Sequence, residues 1–194
     1  MTETKRTTRV DPPLVSLFVA ERYADRRDVS AVIAPPYDVI GPAEWKALAA
    51  RDPHNIVRLI LPEDGEDRYR HAADTLAAWR TEGVVVTEDR PAVYVLRQAF
   101  VTADGVRRER TGVIGAISVE PFSEGRIRPH ERTHAGPKED RMALLQATET
   151  MFEALLMLAR DEDGTLQLRV ECLRQIRCAP ESIQQWLVLM PNDD

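Results

Sequence analysis

Three stretches of the chain space their apolar residues three and four positions apart, the spacing that places side chains on one face of a helix. These stretches cover about residues 42–51, 66–82 and 138–150. The middle stretch has the clearest stripe, and Gly83 follows it as a C-terminal cap. The residues of its stripe are Tyr69, Ala72, Ala73, Leu76 and Trp79. The pattern therefore predicts three helices.

A different pattern runs through about residues 92–119, where side chains alternate on both sides of Asp104-Gly105. Asp-Gly readily adopts the positive φ angles of a tight turn, so this segment predicts a β-hairpin. Strands or extended chain are also predicted for four shorter apolar segments, at 14–19, 31–40, 56–61 and 84–87. Residues 152–159 fit either a strand or a continued helix. A hairpin among helices predicts an α+β fold with a mixed or antiparallel sheet.

The composition argues against several classes of protein. The 194 residues include 26 Lys and Arg against 32 Asp and Glu, a formal net charge of −6. This balance argues against a nucleic-acid binder, because neutralising phosphates requires a surplus of basic side chains. No apolar run approaches the ~20 residues that span a membrane, and no signal-peptide pattern is seen. We therefore expect a cytoplasmic protein, with Cys172 and Cys178 as free thiols.

The segment Arg126–Arg141 is locally positive within this acidic chain. It holds five basic and three acidic residues, namely Arg126, Arg128, Arg132, Lys138 and Arg141 against Glu131, Glu139 and Asp140. Two histidines and a helix start near Lys138 add further hydrogen-bond donors, which predicts a phosphate or anion site that includes Arg128. Glu131 is a candidate general base or Mg²⁺ ligand. The alternative is a solvated polar loop with incidental ion pairs.

His130-Glu131-Arg132-Thr133-His134 also matches the H-E-x-x-H pattern of zinc proteases. That pattern works only where a helix brings both histidines to one face beside the metal. Here Pro129 precedes the pattern and Gly136-Pro137 follows it, which leaves barely two helical turns. A metallohydrolase is therefore the weakest of three functional hypotheses, and we predict no metal site.

Four sequence blocks occur in order along the chain: Ala34–Ile40, Asp52–Pro62, Tyr69–Val84 followed by Pro91–Val95, and Ile127–Thr133 followed by Pro137–Arg141. Together they resemble the uncharacterised bacterial and archaeal family called domain of unknown function 1015. The resemblance covers about Ser16–Asp163. Because several blocks match in the same order, the resemblance is specific.

The family is distantly similar to free-serine kinases with a ParB/sulfiredoxin-like nucleotide-binding fold. The resemblance implies a kinase-like phosphotransferase that uses ATP or ADP with Mg²⁺ and acts on a small hydroxyl substrate such as free serine. In those kinases a His-Glu pair supplies the glutamate that activates the serine hydroxyl. By resemblance, His130 and Glu131 are that pair, with Glu131 as the base. Thr133, Lys138 and Arg141 are then the candidates for orienting phosphate.

One family feature is missing. Longer members carry a later Ala-Asp-Gly-His-His-Arg-like segment, the counterpart of a phosphate-contacting motif, and nothing similar occurs here. We therefore divide the chain into a disordered lead-in (1–13), an incomplete family-like domain (14–164) and an atypical tail (165–194). We expect a truncated or frame-shifted product with weak or no activity, because phosphoryl transfer needs several positioned groups. The alternative is a non-catalytic nucleotide- or anion-binding or regulatory module.

Overall fold

The computed structural model describes residues 14–24, 28–63, 65–129 and 135–159. Short 3₁₀ turns lie at Tyr37–Val39 and Phe122–Glu124. The helices and strands mix along the chain, which confirms the predicted α+β class. In chain order they are β1 (Val15–Ser16), β2 (Glu21–Tyr23), α1 (Val29–Val32), α2 (Pro42–Arg51), α3 (Val57–Ile60), α4 (Arg68–Thr81), β3 (Val85–Thr87), β4 (Tyr94–Val101), β5 (Arg107–Ile114), β6 (Ala116–Ile117) and α5 (Ala135–Thr148).

The strands of the described residues form three antiparallel pairs: β1 with β6, β2 with β3, and β4 with β5. The β4–β5 pair is the predicted hairpin, with a register from Tyr94↔Ile114 to Val101↔Arg107. Gly105 lies in its turn at φ +80°, a conformation that side chains disfavour. The prediction of a hairpin from Asp104-Gly105 is therefore confirmed.

The predicted return strand, Arg108–Val119, is divided at Gly115 into β5 and β6. A Cβ atom at Gly115 would lie 2.8 Å from Val15 Cγ1 and 3.2 Å from the Ser16 carbonyl oxygen. Only glycine therefore allows β1 to approach this closely, and β1 then pairs with β6 in the register Val15↔Ile117.

The main hydrophobic core lies between α3, α4, α5 and β3. The stripe predicted for α4 is confirmed, since Ala72, Leu76 and Trp79 are all buried. Helix α5 begins at Ala135, so Pro137 lies in its first turn, where proline costs no helical hydrogen bond. The buried members of this core are Ile56, Leu59, Ile60, Ala72, Leu76, Trp79, Val84, Val85, Leu144 and Phe152.

The strand predicted over Ile56–Leu61 is wrong, because residues 57–60 form the short helix α3. The fully buried Asn55 explains the difference. Its Oδ1 accepts a hydrogen bond from the Val57 backbone N–H at 3.0 Å, which starts the helical turn. Its Nδ2 donates to the carbonyl oxygens of Ala31 (2.8 Å) and Ile33 (3.0 Å). These long-range contacts override the strand preference of the apolar run.

Two other predictions also need correction. The extended segment predicted over Ala31–Ile40 contains the end of helix α1 and the 3₁₀ turn at Tyr37–Val39. Asp28 caps α1 by accepting from the Ser30 backbone N–H at 3.0 Å, so the helix reaches Val32 before the prolines end it. The strand or helix predicted for Phe152–Ala159 is wrong, and this segment forms neither.

A partly buried ion pair joins β2 to α4. The Glu21 side chain is only 7% exposed. Both of its carboxylate oxygens accept hydrogen bonds from Arg80, each at 2.8 Å. Arg80 also donates to Thr150 Oγ1 at 3.1 Å, so the chain beyond α5 is attached at the same point. Within the described ranges, no helix is long and apolar enough to cross a membrane.

Candidate functional site

Half of the residues predicted for the site can be placed in the structure. His130, Glu131 and Thr133 lie outside the described residues. Arg128 precedes that gap and is exposed, with its Nε donating to the Gly125 carbonyl oxygen at 3.3 Å. Lys138 follows the gap, exposed in the first turns of α5.

The other described arginines of the positive segment are engaged by protein groups. Arg126 Nε donates to Glu120 Oε2 at 2.8 Å, and the Glu120 side chain is 7% exposed. Arg141 Nη1 donates to the Ile60 carbonyl oxygen at 2.8 Å, and its Nε donates to Asp140 Oδ2 at 3.0 Å. The Arg141 guanidinium also stacks on the Tyr37 ring, 3.9 Å from its centroid. Arg141 thus joins α5 to α3 and to the 3₁₀ turn.

The Asp140 carboxylate connects Arg141 to two residues of α4. Its Oδ1 accepts from Arg68 Nη2 at 2.6 Å and from the Tyr69 hydroxyl at 2.7 Å, which ties α5 to α4. Burial alone would raise the pKa of Asp140. Hydrogen bonds from Arg141 and Tyr69, with the positive charges of Arg141 and Arg68, nevertheless hold this pKa below its usual value.

Glu153 is influenced by the same residues, but the pKa of its carboxyl group is displaced in the opposite direction. Burial raises the pKa of its carboxyl group, and the neighbouring charges of Asp38 and Asp140 act in the same direction. The positive charge of Arg141 and a hydrogen bond from the Tyr37 backbone N–H oppose that rise without cancelling it. Oε1 of Glu153 is buried and has no hydrogen-bond partner among the described residues.

We call this group the Arg141 cluster. Its two carboxyl groups have pKa values displaced in opposite directions, lowered for Asp140 and raised for Glu153. The described part of the chain contains no group of three or more His, Cys, Asp or Glu side chains able to hold a metal ion. The members of the Arg141 cluster are Tyr37, Arg68, Tyr69, Asp140, Arg141 and Glu153.

A family model shows to which protein family the chain belongs. The family model described as "Protein of unknown function (DUF1015)" matches residues 16–181. The chain belongs to this family. No curated protein and no solved structure matches the chain. The match continues beyond Asp163, where the correspondence of the four blocks ends, and so includes the first part of the segment predicted as an atypical tail.

The Arg141 cluster brings together the blocks that resemble the DUF1015 family. Tyr37 comes from the first block, the Ile60 carbonyl from the second, Tyr69 from the third, and Asp140-Arg141 from the fourth. Of these side chains, sequence reasoning selected only Arg141. The signal that could have found Tyr37 and Asp140 was their position inside those blocks. Glu153 lies outside the blocks and gave no such signal.

Replacing Asp140 with Asn tests whether this carboxylate fastens α5. The variant removes the charge that Arg68 and Arg141 share, so we expect the free energy of unfolding to fall by about 1–3 kcal/mol in urea denaturation. The matched control is Asp67→Asn in the exposed pair Asp67–Arg70, where the change should stay below about 0.5 kcal/mol.

The effect of Asp140→Asn should depend on pH. Because the folded pKa of Asp140 is lowered, the stability it contributes is present above its unfolded pKa of about 3.9 and is lost as the pH falls below it. The difference between wild type and variant should therefore be largest at neutral pH. A difference that persists undiminished in acid would contradict the charge-based explanation.

Glu153→Gln should have the opposite sign. Since the folded pKa of Glu153 is raised, its ionisation weakens the folded state as the pH rises above the unfolded value of about 4.3. The variant should therefore unfold at a higher temperature than wild type at neutral pH, and the gain should disappear below about pH 4. The exposed Glu139→Gln on α5 is the control and should show no such gain. An unchanged melting temperature for Glu153→Gln would show that Glu153 carries no ionisation penalty.

Proposed function

We propose that the chain is a kinase-like phosphotransferase related to the ParB/sulfiredoxin-like free-serine kinases. Its phosphate donor is ATP or ADP with Mg²⁺, and its acceptor is a small molecule with a hydroxyl group, such as free serine. Glu131 is the general base and His130 its partner. Arg128, Thr133, Lys138 and Arg141 orient the phosphate groups.

The observation that carries this proposal is the anchoring of α5 by Asp140 and Arg141. Helix α5 begins at Ala135, directly after the segment that contains His130 and Glu131. A helix start that is fixed by several contacts gives backbone N–H groups of constant position and partial positive charge, which favour phosphate. The exposed Lys138 adds a full positive charge there.

In the proposed reaction, the Glu131 carboxylate takes the proton of the acceptor hydroxyl while the hydroxyl oxygen attacks the terminal phosphorus atom. The new oxygen–phosphorus bond forms as the bond to the nucleotide breaks, and the shortened nucleotide leaves with that electron pair. Basic side chains stabilise the negative charge on the transferred group. The Arg141 cluster supports this chemistry by holding α5 in place.

A second candidate function is a nucleotide- or anion-binding module without catalysis. It is favoured by the engagement of Arg141, whose guanidinium already donates to Asp140 and to the Ile60 carbonyl oxygen. An arginine used in this way supports the fold and leaves fewer donors for a phosphate group. Binding of nucleotide without turnover would support this function.

The two candidates are separated by measuring phosphate transfer from ATP and from ADP to L-serine, together with nucleotide binding. We expect Glu131→Gln to lower kcat by about 10²–10⁴-fold, the usual contribution of a general base, while nucleotide binding is kept. Glu124→Gln, an exposed carboxylate of the preceding loop, should leave both quantities unchanged. Equal turnover in Glu131→Gln and wild type would exclude Glu131 as the base.

A further inference from the structure

The β4–β5 hairpin extends away from the core and presents an open strand edge. Its first pair, Tyr94 and Ile114, packs against Phe18. Every residue from Arg107 to Val113 is exposed, and among the described strands only β4 pairs with β5. The outer edge of β5 therefore carries backbone N–H and C=O groups that a further strand can satisfy.

This hairpin is positively charged although the chain as a whole is negative. Between Tyr94 and Ile114 there are four arginines and two acidic residues. Both acidic side chains are engaged locally, because Glu109 pairs with Arg97 and Asp104 accepts hydrogen bonds within its own turn. The other three arginines of the hairpin lie on β5, beside its outer edge.

Two of these arginines, Arg108 and Arg110, share one face of the hairpin, because side chains two positions apart point to the same side of a strand. Within the described part of the chain, Arg108 makes no hydrogen bond or ion pair, and Arg110 donates to the neutral Gln98 Oε1 at 2.6 Å. Phe100 is the cross-strand partner of Arg108 and is 43% exposed. This face thus combines two arginines that lack a carboxylate partner with exposed aromatic surface.

Gly112 continues the same row, two positions after Arg110. Glycine in the interior of a strand costs about 0.5–1 kcal/mol relative to alanine. A Cβ atom at Gly112 would meet nothing within 4 Å, so no contact of the described residues requires glycine there. Glycine inside a strand often marks a point at which another backbone or a ligand approaches closely. We call Phe100, Arg108, Arg110 and Gly112 the arginine face.

We propose that the outer edge of β5 binds an extended segment of a partner protein, which carries one aromatic and two acidic residues at alternate positions. The backbone of the segment pairs with β5 as an added strand. Its aromatic ring covers Gly112, in the way that an aromatic side chain covers a glycine of a neighbouring strand. Its two carboxylates accept hydrogen bonds from Arg110 and Arg108.

The open edge and the charge distribution favour this partner over two others. A nucleic acid offers phosphates to the arginines, but it has no backbone groups that continue a sheet, and the net charge of −6 repels it. A second copy of the chain, paired edge to edge through β5, would bring the two rows of arginines side by side, which is unfavourable.

Binding of designed peptides to the full chain tests the proposal. Fluorescein-labelled peptides of eight residues, the length of β5, carry Tyr, Glu and Glu at alternate positions and Thr between them. Both orders, Tyr first and Tyr last, are needed because an added strand can run antiparallel or parallel to β5. We expect fluorescence polarisation to show binding of one order, and about tenfold weaker binding when both Glu are replaced by Gln.

The arginines should account for that preference. In the double variant Arg108→Gln/Arg110→Gln, the peptide with Glu and the peptide with Gln should bind equally weakly, because the charged donors are gone. Lys46→Gln, at an exposed lysine of α2, should bind both peptides as wild type does. If the double variant still prefers the peptide with Glu, the arginine face is not the binding site.

Gly112→Val should act on stability and binding in opposite directions. The variant should melt at a higher temperature than wild type, since valine favours a strand and has free space there. It should bind the peptide at least about tenfold more weakly, because the side chain occupies the space of the aromatic ring. The raised melting temperature shows that the variant folds. Thr111→Val, on the opposite face of β5, should keep the wild-type affinity.

Three results would overturn the proposal. The first is failure of both peptide orders to bind wild type, and the second is equal affinity of Gly112→Val and wild type for the peptide. The third is another occupant of the edge: a dimer in sedimentation, or binding of a labelled oligothymidylate, that is lost in Arg108→Gln/Arg110→Gln while the peptides compete with neither.

Discussion

The Asp140 carboxylate is the contact on which the arrangement of the site depends. It accepts hydrogen bonds from Arg68 and Tyr69 on α4 and from Arg141 beside it, and Arg141 extends the connection to Tyr37 and to the Ile60 carbonyl. A carboxylate with several charged donors is strongly stabilised in its ionised form. This one group therefore fastens α5 to α4.

Burial is the main cause of the raised pKa of Glu153, and the charge of Asp140 adds to it. A second carboxyl group beside Asp140 and Asp38 is buried in a region where negative charge is already present, so burial and repulsion both raise its pKa. Arg141 pairs with Asp140, and its positive charge opposes the rise in the pKa of Glu153. Two carboxyl groups with pKa values displaced in opposite directions occur often at functional sites, and also in structural ion-pair networks.

The sequence allowed the helices and the hairpin to be predicted, because periodic stripes and Asp-Gly are local signals. The strand predicted at Ile56–Leu61 is wrong, since a short apolar run fits a strand or a buried helix equally well. The deciding contacts, from Asn55 to Ala31 and Ile33, join residues more than twenty positions apart. For the same reason sequence reasoning selected Arg141 as a site residue but not Tyr37, on whose ring it stacks. It also did not select Arg68 and Tyr69, which donate to Asp140. The catalytic assignments of His130 and Glu131 stay predictions, because both lie outside the described residues.

A double-mutant cycle between Asp140→Asn and Tyr69→Phe tests most directly whether the Asp140 carboxylate joins α5 to α4. The free energy of unfolding is measured for wild type, both single variants and the double variant. If the carboxylate and the hydroxyl are bonded as in the structure, the double variant will lose less stability than the sum of the single losses, by about 1 kcal/mol. Strictly additive losses would contradict the contact and the anchoring of α5 that rests on it.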